Sequence, residues 1–229
     1  MSVTAIMGAM PEEVAQLCAL LDGVSVEPYA GVEYHRGRLG EKQVVVCYSG
    51  MGKANAAATA QVLVTRFGAD RIIFSGIAGN MTGKIGIGDV VVGKTVVYHD
   101  AEDGMISQSA PFTAEYPGDE TLVAAAMEAC AAAGVKAIAG TIATGDQFVG
   151  DAATKQAIAA KKAPDCVEME GAAVSQIAAK NGVPCVILRA MSDNSDESGY
   201  EVLVVKNFSI SEYVATATKI VAGMMQRLE

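Results

Sequence analysis

Apolar residues fall along this chain in two alternating patterns. Val3 to Met7 is a short unbroken apolar run, the mark of a strand buried on both faces. Pro11 then suits a first helical turn, and Val14, Leu17, Leu20 and Leu21 recur at helical spacing as far as Leu21. Val32 to Leu39, a turn at Gly40, and Gln43 to Tyr48 predict a hairpin. Lys53 to Phe67 is an Ala-rich helix and Ile72 to Ser75 a strand, and the β-branched run Asp89 to Val97 is a further strand. Residues 98–120, with Gly104, Pro111 and Pro117, are expected to form a long loop. Beyond it the pattern predicts helices at Thr121–Ala133, Ala152–Lys162, Gly171–Asn181 and Ser211–Leu228. Strands are expected at Val135–Thr144, Cys166–Met169 and Pro184–Met191.

Strands alternating with helices indicate an α/β fold, a central twisted sheet flanked by helices on both faces; the hairpin makes the sheet mixed. With no linker, repeat or low-complexity tract, residues 1–229 are expected to form a single domain. The unusual residues cluster just after strands: Met10 and Glu13, Met51, Ile77, Phe148, Met169 and Glu170, and Asp193. Ligands of open α/β sheets bind outside the carboxyl ends of strands, so these positions converge on one expected cleft.

Composition narrows the function classes. The chain is 51% hydrophobic and 19% charged, too apolar for disorder and ample for a core. A net charge of −9 argues against nucleic acid as a partner. No apolar run is long enough for a membrane span, and the first Lys or Arg is Arg36, so neither membrane insertion nor a signal peptide is expected. Five scattered cysteines, Cys18, Cys47, Cys130, Cys166 and Cys185, suggest buried thiols of a cytoplasmic protein. The two histidines, His35 and His99, lie far apart without metal-ligand spacing, so no metal is expected. Gly-x-Ser-x-Gly and the Walker pattern are absent. The dinucleotide fingerprint begins at Gly86 and Gly88 but meets Val91 at its third glycine.

Four segments carry candidate chemistry. Glu12 and Glu13 sit in the first turn of the first helix, where they either stabilise the helix dipole by ~0.3–1 kcal/mol or place a carboxylate on the cleft floor to activate water. In Val167-Glu168-Met169-Glu170-Gly171, a strand period would put both glutamates on one face. They either form an acidic helix start or, because two carboxylates at a buried strand end need hydrogen-bond partners, accept from the two hydroxyls of a ribose diol. Asp193, after the last strand, is either a turn residue or an acid for a leaving group. Phe148 is either a core aromatic or a flat partner for a planar base.

Together these segments resemble the nucleoside phosphorylase superfamily and, within it, the 5'-methylthioadenosine/S-adenosylhomocysteine nucleosidases. The resemblance rests on Met7-Gly8-Ala9-Met10-Pro11-Glu12-Glu13, Ser49-Gly50-Met51-Gly52-Lys53, Ser75-Gly76-Ile77-Ala78-Gly79 and Tyr98-His99-Asp100. It continues in Thr144-Gly145-Asp146-Gln147-Phe148, the Val167 to Gly171 segment and Arg189-Ala190-Met191-Ser192-Asp193, in the family's order over almost the whole chain. It implies that Glu13 activates the attacking water, that Asp193 protonates purine N7 and that Arg189 helps order the site. Glu170 would hold the ribose hydroxyls with Met169 against the sugar, and Phe148 would stack on adenine while the Val149 backbone pairs with its edge. Met10, Met51 and Phe208 would line the sugar and 5'-substituent pocket, with Ile77 and Ser192 also at the site. The family uses no cofactor or metal and forms homodimers in which a loop of one subunit borders the other's pocket. Pro11 and Ile77 depart from its pattern, and residues 101–118 and 195–207 match it poorly.

The implied activity is hydrolysis of the N-glycosidic bond of 5'-substituted adenosines, namely 5'-methylthioadenosine, S-adenosylhomocysteine and 5'-deoxyadenosine. Aminodeoxyfutalosine is an alternative substrate. A phosphorolytic enzyme of the same fold and a non-catalytic nucleoside-binding module are the rival readings. Two carboxylates where a phosphate loop would stand favour hydrolysis over phosphorolysis.

Overall fold

Each buried strand feeds side chains to two apolar layers, which explains why the strands read as unbroken apolar runs. The computed structural model describes residues 2–196 and 211–228. Along the chain lie β1 (Val3–Gly8), α1 (Pro11–Ala19), β2 (Asp22–Tyr29), β3 (Val32–Leu39), β4 (Lys42–Tyr48), α2 (Lys53–Thr65), β5 (Arg71–Asn80) and β6 (Val90–Tyr98). There follow α3 (Asp103–Ile106), β7 (Glu115–Pro117), α4 (Glu120–Ala132), β8 (Ala137–Thr144), α5 (Ala152–Lys162), β9 (Cys166–Glu168), α6 (Gly171–Asn181), β10 (Cys185–Asp193) and α7 (Ser211–Arg227). Ala5 and Met7 of β1 belong to one buried apolar cluster with Ala60 and Leu63 of α2 and Ala173 of α6. Ile6 belongs to the other cluster, with Val14 and Leu17 of α1, Leu122 of α4 and Val221 of α7. The result is the mixed α/β architecture expected from the alternation of elements.

Strand pairing places the cleft. β1 pairs in parallel with β4 and β5, and β3 lies antiparallel to both β4 and β2. β5 also pairs in parallel with β10, which runs antiparallel to β6; β6 is parallel to β8, β8 to β9, and β9 returns antiparallel to β5. β5 therefore belongs both to the open sheet and to a closed ring of five strands. Its start, Arg71 to Phe74, lies along β1, whereas its last residues, Gly79 and Asn80, pair with Val167 and Cys166 of β9. Leaving β1 for β9 opens a crevice beyond the carboxyl end of β1, a switch point of the kind where ligands bind.

The structure corrects several expectations. The hairpin is the inner part of a three-stranded meander whose outer strand is β2. Its positions are mostly exposed, and a register shift lies between Asp22 and Ser25, beside Gly23 at φ 64°, so β2 carries no apolar run to betray it. Residues 98–120 are not one loop: they contain α3 and β7, which pairs with β6 and buries Tyr116 edge-on against Tyr98. α1 ends at Ala19 rather than Leu21, and Leu20 is exposed. β5 and β10 run on to Asn80 and Asp193, because the glycines and polar residues at their ends still pair with neighbouring strands. Four of the five cysteines are buried, Cys18 is half-buried, and all are free. Among the described residues, no helix is long and apolar enough to cross a membrane.

Candidate active site

The chain leaves β1 at Gly8, and Met10 is the extended N-cap of α1 (φ −116°, ψ 152°) with Pro11 in the first turn. Glu13 is thereby the third helical residue, and its carboxylate turns back on its own helix start. Oε2 accepts the amides of Ala9 (2.6 Å) and Met10 (3.0 Å), and Oε1 accepts the Ile77 amide of β5 (3.0 Å). Three donors leave one of the roughly four acceptor positions of a carboxylate open. Burial pushes the Glu13 carboxyl above the ordinary glutamate range, although Arg189 and the three amides pull the other way.

Arg189, on β10, is fully buried, and its guanidinium lies over the Phe74 ring at 4.4 Å. It pairs with Glu168 and, at 3.3 Å, with Glu170. Burial works against its charge, but Glu168, Glu170 and Glu13 outweigh that cost and hold it firmly protonated. Glu168 also accepts the Thr144 hydroxyl and the amides of Glu170 (3.1 Å) and Gly171 (2.7 Å), buried donors at the start of α6. Its oxygens are thus committed to protein partners. Glu170 is the N-cap of α6 and accepts the Gly52 amide (2.8 Å). Burial, with help from Glu168 and Glu13, pushes its carboxyl up to about 7 against the pull of Arg189. Strand alternation stops at Glu168, so Glu168, Met169 and Glu170 all line the same cavity instead of splitting between faces.

Asp193 ends β10 and is buried. Ser192 Oγ donates to its Oδ2 and the Ser195 amide to its Oδ1, both at 2.8 Å. Gly79, paired with Asp193 across β5, leaves room for this turn: a Cβ there would overlap Ser195 Oγ.

The loop after β8 carries Phe148 and the buried Val149. It is tied to the start of α2, since Asp146 accepts the Lys53 amide (2.8 Å) and donates its own amide to Asp100 (2.9 Å), while Lys53 Nζ bridges to Asp100 (2.7 Å). Met51 and Phe148 stay partly open to solvent at 62% and 43% exposure, at the mouth of the site.

These elements enclose a cavity of about 900 Å³, within the usual size for small-molecule sites. It brings together Met10, Glu13, Met51, Ile77, Phe148, Val149, Met169, Glu170, Arg189, Ser192 and Asp193. Phe208 lies outside the described residues. Of the two readings the sequence allows for Glu168, acidic helix start or sugar carboxylate, the structure gives it the helix-start amides, and Ser195 beside Asp193 carries no signal in the sequence. Arg189 pairs with both glutamates, whereas the Thr144 hydroxyl and the amides of Glu170 and Gly171 go to Glu168 and the Gly52 amide goes to Glu170. Among the described residues, no group of three or more His, Cys, Asp or Glu is placed to hold a metal ion.

Comparison with known proteins follows the same lines. The family model described as the phosphorylase superfamily matches residues 3–225. A protein of Geobacillus kaustophilus named 5'-methylthioadenosine/S-adenosylhomocysteine nucleosidase is 37% identical over 222 residues, covering 94% of this chain and 91% of its own. An aminodeoxyfutalosine nucleosidase of Helicobacter pylori is 33% identical, with 97% of both chains covered. The crystal structure of the Neisseria meningitidis 5'-methylthioadenosine/S-adenosylhomocysteine nucleosidase in complex with methylthio-immucillin-A superposes with a TM-score of 0.92 at 29% identity, covering both chains fully.

Proposed function

This chain belongs to the phosphorylase superfamily, among its 5'-methylthioadenosine/S-adenosylhomocysteine nucleosidases, and on that premise we propose that it hydrolyses the N-glycosidic bond of 5'-substituted adenosines. The observation that carries this reading is the convergence of Glu13, Glu170 and Asp193 on one largely apolar cavity with Phe148 at its mouth. Breaking an N-ribosidic bond needs an acid at the leaving group, a base for water and a polar hold on the sugar, around an oxocarbenium-like transition state.

Each group then has a task. Glu170, fixed by Gly52 and Arg189, accepts from the ribose hydroxyls, and Met169 packs against the sugar. Phe148 stacks on adenine while the Val149 backbone meets its edge. Asp193, oriented by Ser192 and Ser195, gives its proton to N7 as the electron pair of the C1'–N9 bond moves into the purine. Water adds to C1' and yields its proton to Glu13 through the remaining acceptor position of that carboxylate. The products are adenine and a 5-substituted ribose. Ile77 contributes its amide to Glu13, Met10 and Met51 border the sugar and 5'-substituent, and Arg189 holds the two glutamates of β9 and α6 in place. The chain acts in the cytoplasm as a homodimer, with no cofactor.

The test is adenine release from methylthioadenosine, adenosylhomocysteine, 5'-deoxyadenosine and aminodeoxyfutalosine, with phosphate absent and then added. Release without phosphate from the first two supports the reading. Strict dependence on phosphate would reassign the chain to phosphorolysis, and tight binding without turnover would make it a nucleoside-binding module. The Helicobacter pylori relative is the reason aminodeoxyfutalosine belongs in the panel.

A further inference from the structure

Lys155 lies in the second turn of α5, on the helix that continues the loop of Phe148 and Val149. Its ammonium donates to two main-chain carbonyls, Asn80 (3.1 Å) and Asn194. Both acceptors are telling. Asn80 follows Gly79, the β5 residue paired with Asp193, and Asn194 follows Asp193 itself. The peptide joining Asn194 to Ser195 is therefore held at both ends: its carbonyl by Lys155, its N–H by Asp193 Oδ1 at 2.8 Å. A peptide is a rigid plane, so fixing the oxygen fixes the direction of the N–H. An ammonium on the oxygen also polarises that N–H and strengthens the bond it donates.

The turn needs such a hold. The register of β10 against β5 shifts between Met191 and Asp193, so ladder pairing is already irregular there. Ser195 is fully buried in the left-handed region at φ 52°, a conformation that costs a non-glycine residue energy and persists only where its surroundings impose it.

We propose that Lys155 is a positioning residue for leaving-group protonation: it locks the Asn194–Ser195 peptide that aims Asp193, and registers it against the loop that holds the base. This inference rests on the nucleosidase reading. One side chain spans the two parts whose separation decides whether the acid reaches the purine. Asp193 is anchored through Asn194 and Asn80, and the base platform of Phe148 and Val149 is anchored through the start of α5, where Asp151 caps the helix by accepting the Thr154 amide (2.8 Å).

The test uses Lys155→Met and Lys155→Arg in the full chain. It compares methylthioadenosine with the 4-nitrophenyl 5-methylthioriboside, whose leaving group departs as a stable anion and needs no proton. With Lys155→Met, kcat on methylthioadenosine should fall about 10- to 100-fold, the range for a slightly misplaced catalytic group, with KM nearly unchanged. Turnover of the nitrophenyl riboside should stay within about twofold, and Lys155→Arg should recover most of the loss. Equal losses on both substrates would mean that the variant merely loosens the fold, and unchanged turnover on both would mean that the clamp does not matter; either overturns the inference. If the wild-type chain releases no adenine, the nucleosidase reading fails and this inference with it.

Discussion

Arg189 and Gly76 face each other across β10 and β5, and the guanidinium of one occupies the space where the other has no side chain. A Cβ on residue 76 would overlap Arg189 Nη1 and press on Glu13 Oε1. The glycine is thus what lets a buried arginine cross a neighbouring strand to reach Glu168 and Glu170 while Glu13 stays against the same strand. It is a requirement of space, since Gly76 is not among the positive-φ glycines.

Gly76→Ala should accordingly damage stability and activity together. Overpacking a buried site costs about 1–3 kcal/mol, so the melting temperature should drop by several degrees. Because both displaced groups belong to the site, adenine release should fall at least about 100-fold, the usual penalty for misplaced catalytic groups. Thermal melts and initial rates on one preparation check this. A variant with wild-type melting and turnover would show that the crossing has slack.

Glu170 predicts a pH dependence of stability. Its carboxyl is raised to about 7 in the folded chain from 4.5 in the unfolded one. Between those values the folded state keeps a proton that the unfolded state releases, so stability falls as pH rises through that window and is flat above it. Glu13, raised by burial, adds a contribution of the same sign. Glu170→Gln cannot ionise, so its melting temperature should decline less than that of the wild type between about pH 5 and 7.5. Parallel curves for the two proteins would place the titration elsewhere. The same variant should lose far more turnover on ribonucleosides than on their 2'-deoxy analogues.

Asp193→Asn keeps the shape of the acid and removes its proton. The expected loss in kcat on methylthioadenosine is at least about 100-fold, the lower end for a positioned general acid. A loss below about tenfold would return Asp193 to the role of a turn residue.

Glu13→Gln keeps one carbonyl acceptor but cannot take a proton from water. Turnover should be nearly abolished while substrate binding stays measurable, because the contribution of a base is made in the transition state. Binding measured by calorimetry beside steady-state rates separates the outcomes. Near-normal turnover in a folded variant would leave Glu13 only its helix-start role, worth under about 1 kcal/mol.

The sequence by itself determined what short-range chemistry controls. The two-sided apolar runs of β1, β5 and β10 follow from burial on both faces, and the start of α1 at Pro11 follows from local backbone restriction. The candidate acids were legible because they stand where apolar runs stop. The edge strand β2 was not, since a solvent-facing strand has no apolar period, nor was β7, whose three residues matter only once β6 lies beside them. The tertiary structure alone decided which partners each carboxylate meets. Glu13 meets the Ile77 amide 64 residues away, and Glu170 meets the Gly52 amide 118 residues away, contacts that exist only because β5 leaves β1 to join β9. Glu168 and Glu170 are the same residue type two positions apart. Arg189 reaches both; what divides them is the other donors, since Glu168 also takes the Thr144 hydroxyl and the amides that open α6 while Glu170 takes the Gly52 amide, and local sequence holds no record of Thr144, Gly52 or Arg189 as partners.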